Sequence, residues 1–154
     1  MDFIVLIYFY IKEKMKDLKK FIATTIREYL NENVNRFGVK EITLNDAIKL
    51  SQLSDVKDVG EWLNKPIDEI KYYYKEEPIT MFMDTIDEME STYDEFIDER
   101  DRTEHIFDLL ESGNPPMAIF IELNDKDNFI MEGRHRIVAF SWFGLNKVPV
   151  VYVE

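Results

Sequence analysis

The stretch Asn128–Val153, NFIMEGRHRIVAFSWFGLNKVPVVYV, leaves the chain the fewest folding options. Phe129, Ile130 and Met131 make a short strand-type run that meets Glu132-Gly133-Arg134-His135-Arg136. An apolar helical segment over 134–143 follows, closed by Gly144, and a second strand-type run covers 148–153. Strand, glycine turn and basic helix start together suit phosphate. A helix N-terminus presents unpaired backbone N–H groups and the positive end of its dipole. Two arginines and a histidine add charge-assisted donors.

Upstream, Ser112-Gly113-Asn114-Pro115-Pro116 ends a helix over 103–111, in which Ile106, Phe107, Leu109 and Leu110 share a side. A strand over 117–123 and the turn Asn124-Asp125-Lys126-Asp127-Asn128 predict a hairpin with 129–131. Earlier still, Leu18, Phe21, Ile22, Ile26, Tyr29 and Leu30 recur at helical spacing over 16–33, and Phe37-Gly38-Val39 breaks the pattern. A short helix over 45–53 is expected with Thr43 or Asn45 as its cap, and another from Ser54 through Leu63, weakened by Gly60. Pro66 predicts the first turn of a helix through Tyr74. Tyr72, Tyr73, Tyr74 and Trp62 are assigned to core and boundary packing, and Trp142 and Phe143 to the core. The expected fold is α+β: a helical extension over 1–99 (amphipathic helix 15–33, acidic helices 80–99) feeding a small mixed-sheet domain over 100–154.

The chain has 154 residues and a net charge of −12, unevenly placed. Residues 84–111 carry twelve acids against Arg100 and Arg102, so this belt accounts for almost all of the charge. A break is expected near Ser91-Thr92-Tyr93. Such runs are usually solvated helix faces. Here the belt is also a candidate surface for a basic protein partner, a mimic of nucleic-acid phosphates, or a holder of divalent ions. Generic duplex-DNA binding needs a basic face, which the sequence does not show. His105 lies in this acidic segment without a second histidine at metal spacing, and Arg100 and Arg102 are expected to pair with belt acids.

With no cysteine, disulfides, thiolate catalysis and cysteine-ligated metals are excluded, which fits a reducing compartment. A cytoplasmic place in a bacterial or phage-infected cell is expected. The apolar run Phe3–Ile11 is about half a bilayer-spanning length. It lacks signal-peptide flanks, so it is expected to dock as a strand or helix start, with membrane contact by its tip as the alternative. The segment from Met15 would also make a normal protein start, with residues 1–14 preceding it, and it resembles the openings of many tailed-phage proteins.

The order of helix, LLESG-x-P, strand, hairpin, EGRHR helix, G-L and VPV strand resembles the ParB/sulfiredoxin-like fold. Its members include the N-terminal domain of ParB partition proteins, sulfiredoxins and free serine kinases. The resemblance covers roughly residues 100–154, and GRHR linked to GLNKVPV carries it. It implies a nucleotide at the glycine turn, CTP in ParB and ATP in sulfiredoxin and the kinases. By position, Gly133 matches the motif glycine, Arg136 the last motif arginine, and His135 the histidine of sulfiredoxin's GCHR. Glu132 matches the acid of DGHHR-like kinase versions, suited to magnesium or a hydroxyl. Sulfiredoxin's cysteine falls at Arg134, which removes sulfinic-acid repair. ParB proteins continue into a helix-turn-helix, whereas this sequence stops at Glu154, so centromere clamping is not expected.

The leading expectation is therefore nucleoside-triphosphate or phosphate-ligand binding at EGRHR, with hydrolysis or phosphoryl transfer as its chemistry. Gly133, Arg134, His135 and Arg136 would bind ATP or CTP, with Glu132 and His135 catalytic and Glu132 a magnesium ligand. The competing explanation of the basic cluster is an internal ion pair, with Glu132 or with an acid from the belt. The alternatives are a ParB-like metal-dependent nuclease lost in Glu132→Ala and a non-catalytic acidic protein-binding module.

Overall fold

The computed structural model describes residues 2–32, 40–52, 61, 63–123 and 129–154. The fold is α+β. In chain order the elements are α1 (Phe3–Glu32), β1 (Lys40–Ile42), α2 (Leu44–Ser51), a 3-10 turn (Ile67–Glu69), β2 (Tyr72–Pro78), a second 3-10 turn (Ile79–Phe82), α3 (Met83–Thr92), α4 (Ile97–Glu111), β3 (Ile119–Glu122), β4 (Phe129–Glu132), α5 (Arg134–Phe143) and β5 (Lys147–Val153). The strands form one sheet in the order β1-β2-β5-β3-β4. Among the described strands only β3 and β5 run parallel, joined through β4 and α5. The expected turn 124–128 lies outside the described residues.

β5 is the middle strand, which explains its near-continuous apolar sequence: both of its faces are covered. Val148, Val150 and Tyr152 join Ile119 and Ile121 under α3, α4 and α5. Val151 and Val153 join Tyr72, Tyr74 and Phe120 on the opposite face, under α2 and Ile26 of α1. α5 contributes four consecutive buried residues, Ile137 to Phe140.

Thr43 caps α2, its hydroxyl accepting from the Asp46 N–H at 3.2 Å. Gly144 ends α5 with φ +86°, and α4 ends where Gly113 takes φ +87°. The break within the acidic belt falls between α3 and α4, although α4 starts at Ile97, six residues before the expected 103.

Three expectations are corrected. The helix from Pro66 through Tyr74 is a single 3-10 turn followed by β2, which pairs with β5 from Tyr72↔Val153 to Pro78↔Lys147. β1 and β2 thus bring residues before position 100 into the same sheet as β3, β4 and β5, and position 100 itself lies inside α4. Next, the apolar run at the N-terminus is helical but not docked, and Leu18 and Phe21 are exposed as well. Trp142 and Phe143 are partly exposed rather than core. Trp142 donates to Glu90 at 3.0 Å, and both rings stack edge-on with Phe107, so they tie α3, α4 and α5 together at the surface. Residues 54–60 and Trp62 of the helix expected from Ser54 through Leu63, and the Phe37-Gly38-Val39 break, lie outside the described residues. No helix among the described residues is long and apolar enough to cross a membrane.

Candidate phosphate site at the start of α5

β4 ends at Glu132, and the chain turns through Gly133 into α5. Gly133 has φ +117°, a conformation that side-chain-bearing residues rarely adopt. It is also buried: an added Cβ would sit 3.2 Å from Ile119 Cγ2 and 3.3 Å from Ile119 Cα. The close approach that demands glycine is therefore to β3. The motif glycine has a structural duty whatever else it does.

α5 has no side-chain cap and no acidic residue in its first turn. Its first internal bond runs from Ile137 N–H to the Gly133 carbonyl at 2.9 Å. The N–H groups of Arg134, His135 and Arg136 precede it and point out of the helix start, as they do in helices that hold anions.

The three basic side chains part company. Consecutive helical residues are about 100° apart around the axis, so the three side chains leave in different directions. Arg134 is exposed, and among the described residues it makes no ion pair. His135 turns toward α4, where its Nε2 hydrogen-bonds Glu99 Oε2. That hydrogen bond is the main reason the Glu99 carboxyl is held below its usual range, with the charges of His135 and Arg102 adding to it and partial burial opposing. Arg136 folds inward, and its Nη1 donates to the Ala118 carbonyl at 2.6 Å, just before β3. Burial lowers the Arg136 guanidinium from its usual value, and the nearby Glu132 carboxylate opposes that shift. A buried carbonyl satisfied by a charged donor makes Arg136 an anchor between α5 and the sheet.

Of the expected set, backbone N–H groups and Arg134 thus face outward, His135 is engaged with an acid from the belt, and Arg136 is committed to the fold. Glu132 is half-buried beside Arg136. Among the described residues no group of three or more His, Cys, Asp or Glu is placed to hold a metal. Magnesium bound with a nucleotide commonly uses one or two carboxylates plus phosphate oxygens, so a single Glu132 is compatible with it. Arg100 and Arg102 pair within the belt as expected, with Glu104 at 3.0 Å and Glu99 at 3.8 Å.

No protein-family model, curated protein or solved structure matches the chain.

The role of Glu99 was not specified by the sequence. It is one of nine belt acids between Asp84 and Asp101, and it lies 36 residues from His135. A histidine at an otherwise uncapped helix start was the available signal that some acid would reach it. The sequence also gave no sign of a pocket of about 370 Å³ between α1 and α2, lined by Lys19, Ile22, Ile48, Lys49 and Gln52.

Proposed function

We propose that the turn Glu132–Arg136 binds a phosphate-bearing ligand, with a nucleoside triphosphate such as ATP or CTP as the leading candidate. The observation that carries this is the uncapped start of α5 behind Gly133, with Arg134 exposed beside it and no acid in the first turn. The resemblance of EGRHR and GLNKVPV to ParB/sulfiredoxin-like nucleotide sites points the same way. In this reading the N–H groups of residues 134–136 and the Arg134 guanidinium hold phosphate oxygens. Glu132 orients magnesium or an acceptor hydroxyl. His135, released from Glu99, would donate to a phosphate oxygen, and any phosphoryl transfer would depend on this positioning and charge neutralisation.

A thermal-shift screen of ATP, CTP and GTP with and without magnesium tests this. Ligand at a hundredfold excess over its Kd stabilises by about 2.7 kcal/mol, a rise of several degrees for a chain of this size. Arg134→Ala should diminish the rise while leaving the ligand-free midpoint in place. No shift with any nucleotide, or an unchanged shift in Arg134→Ala, contradicts the proposal.

A second reading has its own observation. Phe96 and Ile97 are exposed among Asp94, Glu95, Asp98 and Asp101, which are exposed too. An apolar pair framed by acids suits a basic amphipathic partner protein. Such binding would weaken with salt, survive Arg134→Ala and fail in Phe96→Ser/Ile97→Ser. The metal-dependent nuclease alternative draws no support from the described residues, which lack a carboxylate cluster of metal-binding geometry.

A further inference from the structure

α1 packs against the body through its later turns, where Ala23 is buried and Ile26 reaches the core beneath α2. Its opening turns stay exposed, with Tyr8 and Ile11 facing Leu109 and Asn114 across an open cleft. Every residue from Phe3 to Ile11 is exposed, from 39% at Val5 to 74% at Phe3. Nine adjacent large apolar side chains exceed the few hundred Å² of contiguous apolar surface that soluble monomers expose. Their order along the helix is specific. Phe3, Ile4, Val5, Leu6 and Ile7 come first, then Tyr8, Phe9 and Tyr10, then Lys12, Lys14, Lys16, Lys19 and Lys20. Only Glu13 and Asp17 oppose these lysines, so residues 12–20 are net +3 in a chain of net −12.

We infer that the start of α1 inserts into one leaflet of a membrane carrying anionic headgroups. The sequence of purely apolar, tyrosine-bearing and basic residues matches the sequence of environments from acyl chains through the interface to the headgroups. Nine helical residues span about 14 Å, close to half of the roughly 30 Å hydrocarbon core. Apolar residues cover the whole circumference of the helix over 3–11, and lipid surrounds a helix on all sides, whereas a partner helix covers one stripe. A parallel second copy would also bring two lysine clusters together. Asp2 bonds the Ile4 N–H at 3.2 Å at the far end, and its charge opposes a steep path to the bilayer centre, so the helix enters obliquely.

The test is flotation of the full-length chain with vesicles of phosphatidylcholine alone and with phosphatidylserine added. The chain should float with the anionic vesicles and bind the neutral ones at least tenfold less. Each lysine near an anionic surface is worth about fivefold in partitioning, so Lys12→Gln/Lys14→Gln/Lys16→Gln should remove most of the preference. Ile4→Glu/Ile7→Glu should abolish flotation, and circular dichroism should show its fold retained, because both side chains are exposed. Absence of flotation with the anionic vesicles overturns the inference, as does equal flotation of Ile4→Glu/Ile7→Glu. A dimer in light scattering that Ile4→Glu/Ile7→Glu dissociates, in a chain that does not float, assigns the surface to a second copy instead. None of these readouts depends on the α5 turn.

Discussion

Replacing Gly133 with alanine separates what the fold requires from what a ligand requires. Two costs combine. At φ +117° a Cβ meets its own backbone, which is worth at least the roughly 1–2 kcal/mol of a left-handed residue. The same Cβ would lie 3.2–3.3 Å from three atoms of Ile119, including its Cα, in a core whose neighbours on β3 are fully buried. Because one of those atoms is backbone, relief requires β3 or α5 to shift, at about 1–3 kcal/mol for overpacking of this kind. Together the loss is about 2–5 kcal/mol, or about 5–20 °C in Tm for a chain of this length. Urea titration followed by far-UV circular dichroism measures it as a fall in midpoint at constant slope. A loss below about 0.5 kcal/mol, the range of neutral surface changes, would refute the close packing of Gly133 on β3. The consequence for the site is practical: loss of ligand binding in Gly133→Ala says nothing about phosphate.

Arg136→Met should cost about 1–3 kcal/mol in the same titration with no ligand present, because it leaves the Ala118 carbonyl without its donor. Stability unchanged in that variant would release Arg136 for a ligand role. Tyr93→Phe removes the buried 2.6 Å bond between the Tyr93 and Thr103 hydroxyls, and should cost about 1–2 kcal/mol, measured by thermal melting; a neutral result would mean the pair is not formed. Glu99 has a lowered carboxyl pKa in the folded chain, so its contribution is present above its usual value of 4.5 and is lost as pH falls through the folded value. The stability gap between wild type and Glu99→Gln should therefore close on acidification, and a gap that widens on acidification would reverse the sign.

The C-terminal elements were legible because punctuation and periodicity agree there. Gly133 and Gly144 frame α5 at its observed bounds, Arg134–Phe143, and the apolar run over 148–153 reads as the strand it forms, β5. β2 was illegible for a physical reason. Tyr72, Tyr73 and Tyr74 are alike in kind, so nothing in the residue types alternates, and pairing with β5 decides that Tyr72 and Tyr74 are buried while Tyr73 is half-buried. The basic cluster was visible as a cluster but not as three separate destinations. The sequence allows an internal ion pair with a belt acid, but which acid depends on how α4 lies across α5. Arg136, a phosphate ligand by position in the resemblance, is tied to the Ala118 carbonyl, so its removal disturbs the fold as well as any binding. Arg134, which replaces a catalytic cysteine in the resemblance, becomes the clean probe. The exposure of Phe3–Ile11 was likewise outside the reach of pattern, since an apolar run reads as buried unless its surroundings are known.

The most direct measurement on the α5 turn is amide NMR of the labelled chain during titration with ATP or CTP and magnesium. We expect the backbone N–H signals of Arg134, His135 and Arg136 to shift most and together, with saturation weakened in Arg134→Ala. Saturating nucleotide that leaves these three amides unmoved, or moves another region instead, contradicts a phosphate site at the start of α5.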